Sequence, residues 1–135
     1  MAAADHPRTA TILLAAGASR RLGGDVPKCL RPLVGRPLYR WALDRCLACE
    51  GVNQVILVVP ADHLSQVEAD LAESTDGGNV RVVWGGNTRA ESARMGLAAV
   101  TDDVDLVVLH DAARPFASES LFLRVLSEAQ RTGAA

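Results

Sequence analysis

Lys28 is the sole lysine of the chain; the other 13 of its 14 basic residues are arginines. It follows a proline at the end of GASRRLGGDVPK, residues 17–28, where Arg20, Arg21 and Lys28 face a single acid, Asp25. Glycines let backbone N–H groups come close to an anion, and basic side chains neutralise it, so phosphate is the natural guest. A lysine ammonium is a compact point charge suited to one transferring phosphate, whereas arginine favours planar forks. The stretch is not a Walker A loop, because the Gly-Lys-Ser/Thr ending is missing. Ser19 and Gly23 break the dinucleotide pattern G-x-G-x-x-G. A solvated basic loop accounts for the same residues.

Two more segments have the composition of a site. WGGNTR, residues 84–89, places Gly85 and Gly86 after an apolar run. They read either as a plain turn or as a backbone edge that a flat base can approach. HDAARP, residues 110–115, has Asp111 just past another apolar run. Such a carboxylate can hold Mg²⁺, with phosphate oxygens and water completing the shell. The plain alternative is a turn cap at Asp111 and a surface ion pair at Arg114. His110 is placed to orient Asp111 and is given no proton-transfer role.

Other reactive types lead nowhere similar. Cys46 and Cys49 form a C-x-x-C near a helix end, where the dipole raises a thiol pKa, and zinc lacks a second ligand pair. Cys29 reads as a packing residue, and His6 and His63 as solvated.

The elements that must position these loops follow from hydrophobic periodicity. Apolar runs at 9–16, 54–60, 80–84 and 105–110 read as buried strands. Helical segments lie between them. The first has Pro37 at its first helical position and an apolar face of Leu38, Trp41, Ala42 and Cys49. The second has Asp62 as its cap and carries Leu64, Val67 and Leu71. The third carries Ala93, Leu97 and Val100. The fourth is capped by Ser118 and runs to about residue 131, where Gly133 releases the chain. Continuous apolar strands separated by helices predict an α/β, doubly wound, mostly parallel sheet covered on both faces. With right-handed crossovers, every strand-to-helix loop lies at the carboxyl edge of the sheet, so the three loops should converge there. Asp102, Asp103 and Asp105 precede their strand and should lie solvated at the opposite edge.

The 135 residues suit one domain, read as a flexible tail over 1–9 and a nucleotide-binding α/β domain over 10–135. A net charge of −2 and 4% aromatic residues argue against nucleic acid as a partner. No apolar run reaches the roughly 18 residues of a membrane span. The N-terminus has no secretory pattern, and three cysteines make no disulfide framework, so the chain reads as cytoplasmic.

AAGASRRLGGDVPK, GGNTRAESARMGL and LHDAARPF, in this order and spacing, resemble the 2-C-methyl-D-erythritol 4-phosphate cytidylyltransferase family, whose wider group includes ribitol-5-phosphate cytidylyltransferases. The resemblance covers nearly all of residues 11–135. It implies a Rossmann-like nucleotidyltransferase fold, CTP and a sugar-alcohol phosphate as partners, and Mg²⁺ or another divalent cation as cofactor. It implies that Arg21 and Lys28 are catalytic and that Asp111 holds the metal. By the same carry-over Arg114 lies on the acceptor-phosphate side. The nucleotide is held by Ala15, Ala16, Gly17 and Ala18, by Gly86, Asn87 and Ser92 near the base, and by Arg89. Ser19 and Ala93 stand where glycine and valine are commoner in the family.

The family's chain continues well past residue 135. Its dimer-forming arm and its later acceptor-binding residues are absent here, so the 135-residue chain alone is expected to bind CTP weakly and to turn over poorly, while the full-length family member is a homodimer. The implied reaction moves CMP from CTP to methylerythritol phosphate. Ribitol 5-phosphate is the alternative acceptor: the Ala112-Ala113 pair leans to the former and Phe116 slightly to the latter. A non-catalytic nucleotide-binding domain or fragment is the reading from another class.

Overall fold

The structure, a computed structural model, describes residues 7–17, 26–73, 79–114 and 116–135. Strand β1 (Thr9–Leu14) is followed by two short strands, β2 (Pro32–Leu33) and β3 (Arg36–Pro37), and by helix α1 (Leu38–Ala48). Then come β4 (Val52–Val59), α2 (Leu64–Ala72), β5 (Val80–Trp84), α3 (Arg89–Ala98), β6 (Leu106–Asp111) and α4 (Glu119–Thr132). The main sheet has the order β5-β4-β1-β6, and every pairing in it is parallel. The chain first steps outward from β1 through β4 to β5, then crosses back to β6.

That reversal puts helices on both faces, as the sequence predicts. Leu13, Val55, Leu57 and Val59 pack with Tyr39, Leu43 and Cys46 of α1, Val67 and Leu71 of α2, and Phe122 of α4. Ile12, Leu14, Ile56 and Val58 point to the other face, where α3 lies. The run Val55–Val59 of β4 is fully buried, which accounts for its lack of polar alternation. Each such side chain contributes about 1.5–3 kcal/mol of burial. β6, at the edge, has one face partly open: Val107 and Leu109 remain 43% and 41% exposed.

Three local expectations are corrected. Helix α1 starts at Leu38, with Pro37 as its N-cap residue in β3, and it buries Tyr39, Ala42, Leu43 and Cys46. Trp41 is drawn off the core because its indole N–H donates to the Leu33 carbonyl at 2.8 Å and Arg36 stacks over its ring. Asp62 does not cap α2; it lies within a 3-10 turn, Ala61–His63, that precedes the helix. Helix α3 buries Ser92 and Gly96 rather than Leu97, which is 53% exposed. A Cβ on Gly96 would stand 2.6 Å from Ile12 Cγ2, so α3 reaches the sheet through its smallest residues. Ser118 does cap α4, accepting from the Leu121 N–H at 3.2 Å, and Gly133 ends it in the left-handed conformation.

Candidate nucleotide-phosphate site

In the order β5-β4-β1-β6, successive strands are added on one side of β1 and β6 is reached by a return crossing to its other side, so the strand order, though not the chain direction, reverses between them. A crevice at the carboxyl ends of the strands is expected at such a point. A cleft of about 740 Å³ opens there. It brings together Ala16 and Gly17 after β1, Lys28, Gly85 to Arg89 after β5, Ser92 of α3, and Asp111, Ala113 and Arg114 at the end of β6. Arg21 and Ala18 lie outside the described residues. Ala15 is buried in the core, and its N–H donates to the Val58 carbonyl at 2.7 Å. Its backbone donor is therefore spent on the sheet.

Lys28 opens a 3-10 turn, Lys28–Leu30, with Pro27 at its N-cap. The Leu30 N–H donates to the Pro27 carbonyl at 3.0 Å, and the Arg31 N–H to the Lys28 carbonyl at 3.1 Å. The turn fixes the backbone while the lysine side chain stays exposed at the cleft. Cys29, next to it, is buried, and that burial pushes its thiol up to about 11 despite the nearby lysine. It is a neutral packing group, as are Cys46, pushed up to about 12 by burial, and Cys49.

The 85–92 segment is held by its own side chains. Thr88 caps α3 by accepting from the Glu91 N–H at 3.1 Å, and Glu91 accepts from the Asn87 N–H at 2.7 Å. The Ser92 hydroxyl accepts from the Gly86 N–H at 3.2 Å. A Cβ on Gly85 would meet Ala16 Cβ at 2.5 Å, and one on Gly86 would meet Glu91 Cβ at 2.5 Å. Both glycines answer to close packing at the start of α3, whatever else the segment binds. Gly17 differs: beyond its own and its chain neighbours' atoms, no described atom lies within 4 Å of its Cβ position. The first turn of α3 faces the cleft, and a helix N-terminus favours anions.

Asp111 is the last residue of β6 and accepts from Arg89 Nε at 3.1 Å. The turn after it is closed twice. The Arg114 N–H donates to the Asp111 carbonyl at 3.0 Å, and His110 Nε2 donates to the Arg114 carbonyl at 3.1 Å. The His110 ring packs edge-on against Phe122, and burial holds its pKa below the ordinary value. Ala112 is fully buried and its N–H donates to the Leu14 carbonyl at 2.8 Å. Its small size therefore serves the core, and only Ala113 of the Ala-Ala pair meets the cleft.

Pro60, Ala61 and Asp62, of which the sequence suggested only a helix cap at Asp62, also line the cleft. Their signal was positional: β4 stands between β1 and β5, so the loop after it must lie mid-edge. Among the described residues, no group of three or more His, Cys, Asp or Glu side chains is arranged to hold a metal. Asp111 alone, at 38% side-chain exposure, fits an ion carried in on phosphates, since Mg²⁺ needs only one or two protein carboxylates when phosphates complete its shell.

The family described as IspD, 2-C-methyl-D-erythritol 4-phosphate cytidylyltransferase, matches residues 9–135. The chain belongs to the IspD family. A 2-C-methyl-D-erythritol 4-phosphate cytidylyltransferase from Frankia casuarinae is 41% identical over 115 residues, which is 85% of this chain and 41% of that one. Among solved structures, 4-diphosphocytidyl-2C-methyl-D-erythritol synthase from Anaerococcus prevotii superposes with a TM-score of 0.79 at 30% identity, covering 94% of this chain and 53% of its own. Rv0371C from Mycobacterium tuberculosis H37Rv, solved as a complex with manganese, has a TM-score of 0.67 at 27% identity and covers 93% of this chain and 61% of its own. The chain spans between 33% and 55% of the length of curated IspD relatives.

Proposed function

We propose that the complete protein transfers CMP from CTP to 2-C-methyl-D-erythritol 4-phosphate and releases pyrophosphate. The observation that carries this reading is the convergence of Lys28, Arg89 and the Asp111–Arg114 turn, three segments far apart in sequence, on one cleft beside the 85–88 backbone. An oxygen of the acceptor phosphate attacks the α-phosphorus of CTP. The new P–O bond forms as the bond to the β-phosphate oxygen breaks, and that electron pair leaves with pyrophosphate. The acceptor is already an anion, so no general base is needed. The difficulty is joining two anions and carrying the charge that develops.

Lys28, with Arg21, supplies positive charge there. One preorganised group of this kind is typically worth about 3 kcal/mol. Arg114 holds the acceptor phosphate. Gly86, Asn87 and Ser92 lie beside the base, and the backbone of Ala16 and Gly17 borders the phosphates. Asp111 holds a divalent cation, which we take to be Mg²⁺; when bound, it neutralises phosphate oxygens. The family resemblance also underlies our reading of the complete protein as a homodimer, and its cysteine usage underlies our reading of it as cytoplasmic.

The test supplies the full-length protein with CTP, Mg²⁺ and either methylerythritol phosphate or ribitol 5-phosphate, and follows pyrophosphate release. Methylerythritol phosphate should be preferred by at least about tenfold in kcat/KM. The reverse preference would move the protein to the ribitol branch. Release with neither acceptor would leave a nucleotide-binding domain.

A further inference from the structure

We infer that Arg89 and the divalent cation compete for the same oxygen of Asp111, so that Arg89 is the resident counter-ion that the cation must displace. The inference rests on the reading of Asp111 as the cation holder. Arg89 Nε lies 3.1 Å from Asp111 Oδ1. A divalent ion on that oxygen would sit about 2.1 Å away. The two positive centres would then lie within a few ångströms of each other, where repulsion is strong at a partly desolvated surface.

Arg89 has somewhere else to go. It is the first residue of α3, its side chain is 60% exposed, and it borders the same cleft as Lys28. Phosphates arriving with the cation would offer the displaced guanidinium a new anion close to the helix N-terminus. Until then, the pair holds the Asp111 carboxylate at the cleft in place of a cation. One residue thereby couples cation binding to phosphate binding, and the coupling acts equally in both directions.

Arg89 differs in this from Arg94 on the same helix, which is exposed but does not border the cleft. Arg94 supplies a control for the general effect of removing a positive charge.

The experiment titrates the full-length protein with MnCl₂ alone, without nucleotide, and reads bound Mn²⁺ by electron paramagnetic resonance. Five variants accompany the wild type: Arg89→Ala, Arg89→Lys, Arg94→Ala, Asp111→Asn and the double variant Arg89→Ala/Asp111→Asn. Thermal melts check that each is folded. Exposed ion pairs of this kind compete by about two- to fivefold in affinity. Arg89→Ala should bind Mn²⁺ tighter by that factor, Arg89→Lys should fall between it and the wild type, and Arg94→Ala should gain less. In the Asp111→Asn background, Arg89→Ala should bring no gain. Equal or weaker Mn²⁺ binding by Arg89→Ala overturns the inference, as does a gain that survives without Asp111. If Asp111→Asn leaves Mn²⁺ binding unchanged both in this titration and in a repeat with CTP present, the failure lies in the reading of Asp111 as cation holder.

Discussion

The molecule carries an arginine–aspartate pair at each end of its sheet. At the amino edge, Arg8 pairs with Asp103 at 3.0 Å, and at the carboxyl edge Arg89 pairs with Asp111 at 3.1 Å. Chemistry and exposure are similar; surroundings are not. The Arg8 N–H donates to Asp105 at 2.9 Å, and the Arg8 carbonyl accepts from the N–H groups of Asp105 and Leu106. The Thr101 hydroxyl bonds to Asp103, and that bond, with Arg8 nearby, holds its carboxyl below the ordinary range. Those acids fasten the start of β6 to the start of β1. At the other end, the Asp111 carboxylate borders a cleft shared with Lys28 and Arg114. An acid becomes a candidate ligand through its place in a parallel sheet, at the edge where the strand-to-helix loops gather.

The largest break in this comparison should come from removing one acid at a time. In the full-length protein, Asp111→Asn should lower Mg²⁺-dependent turnover by about two orders of magnitude. Asp103→Asn should leave turnover unchanged. Steady-state assays of pyrophosphate release check both, and equal losses would erase the distinction between the two edges.

Packing beneath the carboxyl edge comes next. Gly85→Ala would push a methyl against Ala16 Cβ, Ser92 Oγ and Val58 Cγ1, at 2.5, 2.6 and 3.0 Å from its Cβ position. None of these is the far end of a flexible side chain. We expect a loss of about 1–3 kcal/mol in denaturant unfolding, with CTP affinity lowered as the 85–88 segment shifts. Full stability with normal affinity would mean that the segment has slack.

The edges and the start of the strands were legible because parallel-strand runs and helical gaps allow few topologies. Lys28, Gly86 and Asp111 could be placed at one edge from element order alone. What escaped the sequence was set by tertiary contacts. The buried face of α1 is turned toward Tyr39 because Trp41 bonds to Leu33, in a hairpin of two-residue strands too short for any periodicity. The contact face of α3 is small, Ser92 and Gly96, and no apolar pattern marks it. Ala15 reads as part of the nucleotide loop, yet its N–H completes a bond to β4.

A smaller effect should appear in the middle of the sheet, away from both edges. The Thr11 hydroxyl is fully buried and has no hydrogen-bond partner among the described residues. Thr11→Val replaces it by a methyl of the same shape and removes an uncompensated polar group, worth about 1 kcal/mol of added stability. Unfolding in urea checks this, and turnover should be unaffected. A destabilised Thr11→Val variant would mean that the hydroxyl has a partner, such as an ordered water.

On the proposed reading, the cations of the carboxyl edge act on the charge that develops as phosphates change partners, and Lys28→Ala isolates that role. With the full-length protein, kcat for pyrophosphate release and the Kd of CTP with Mg²⁺ would be measured on the same preparation. A group that acts mainly at the transition state should cost about 10²-fold or more in kcat while changing the nucleotide Kd much less. Near-normal kcat and Kd would leave Lys28 as one more surface charge, and a loss confined to nucleotide binding would make it a ground-state binding residue; either result contradicts a role at the transition state.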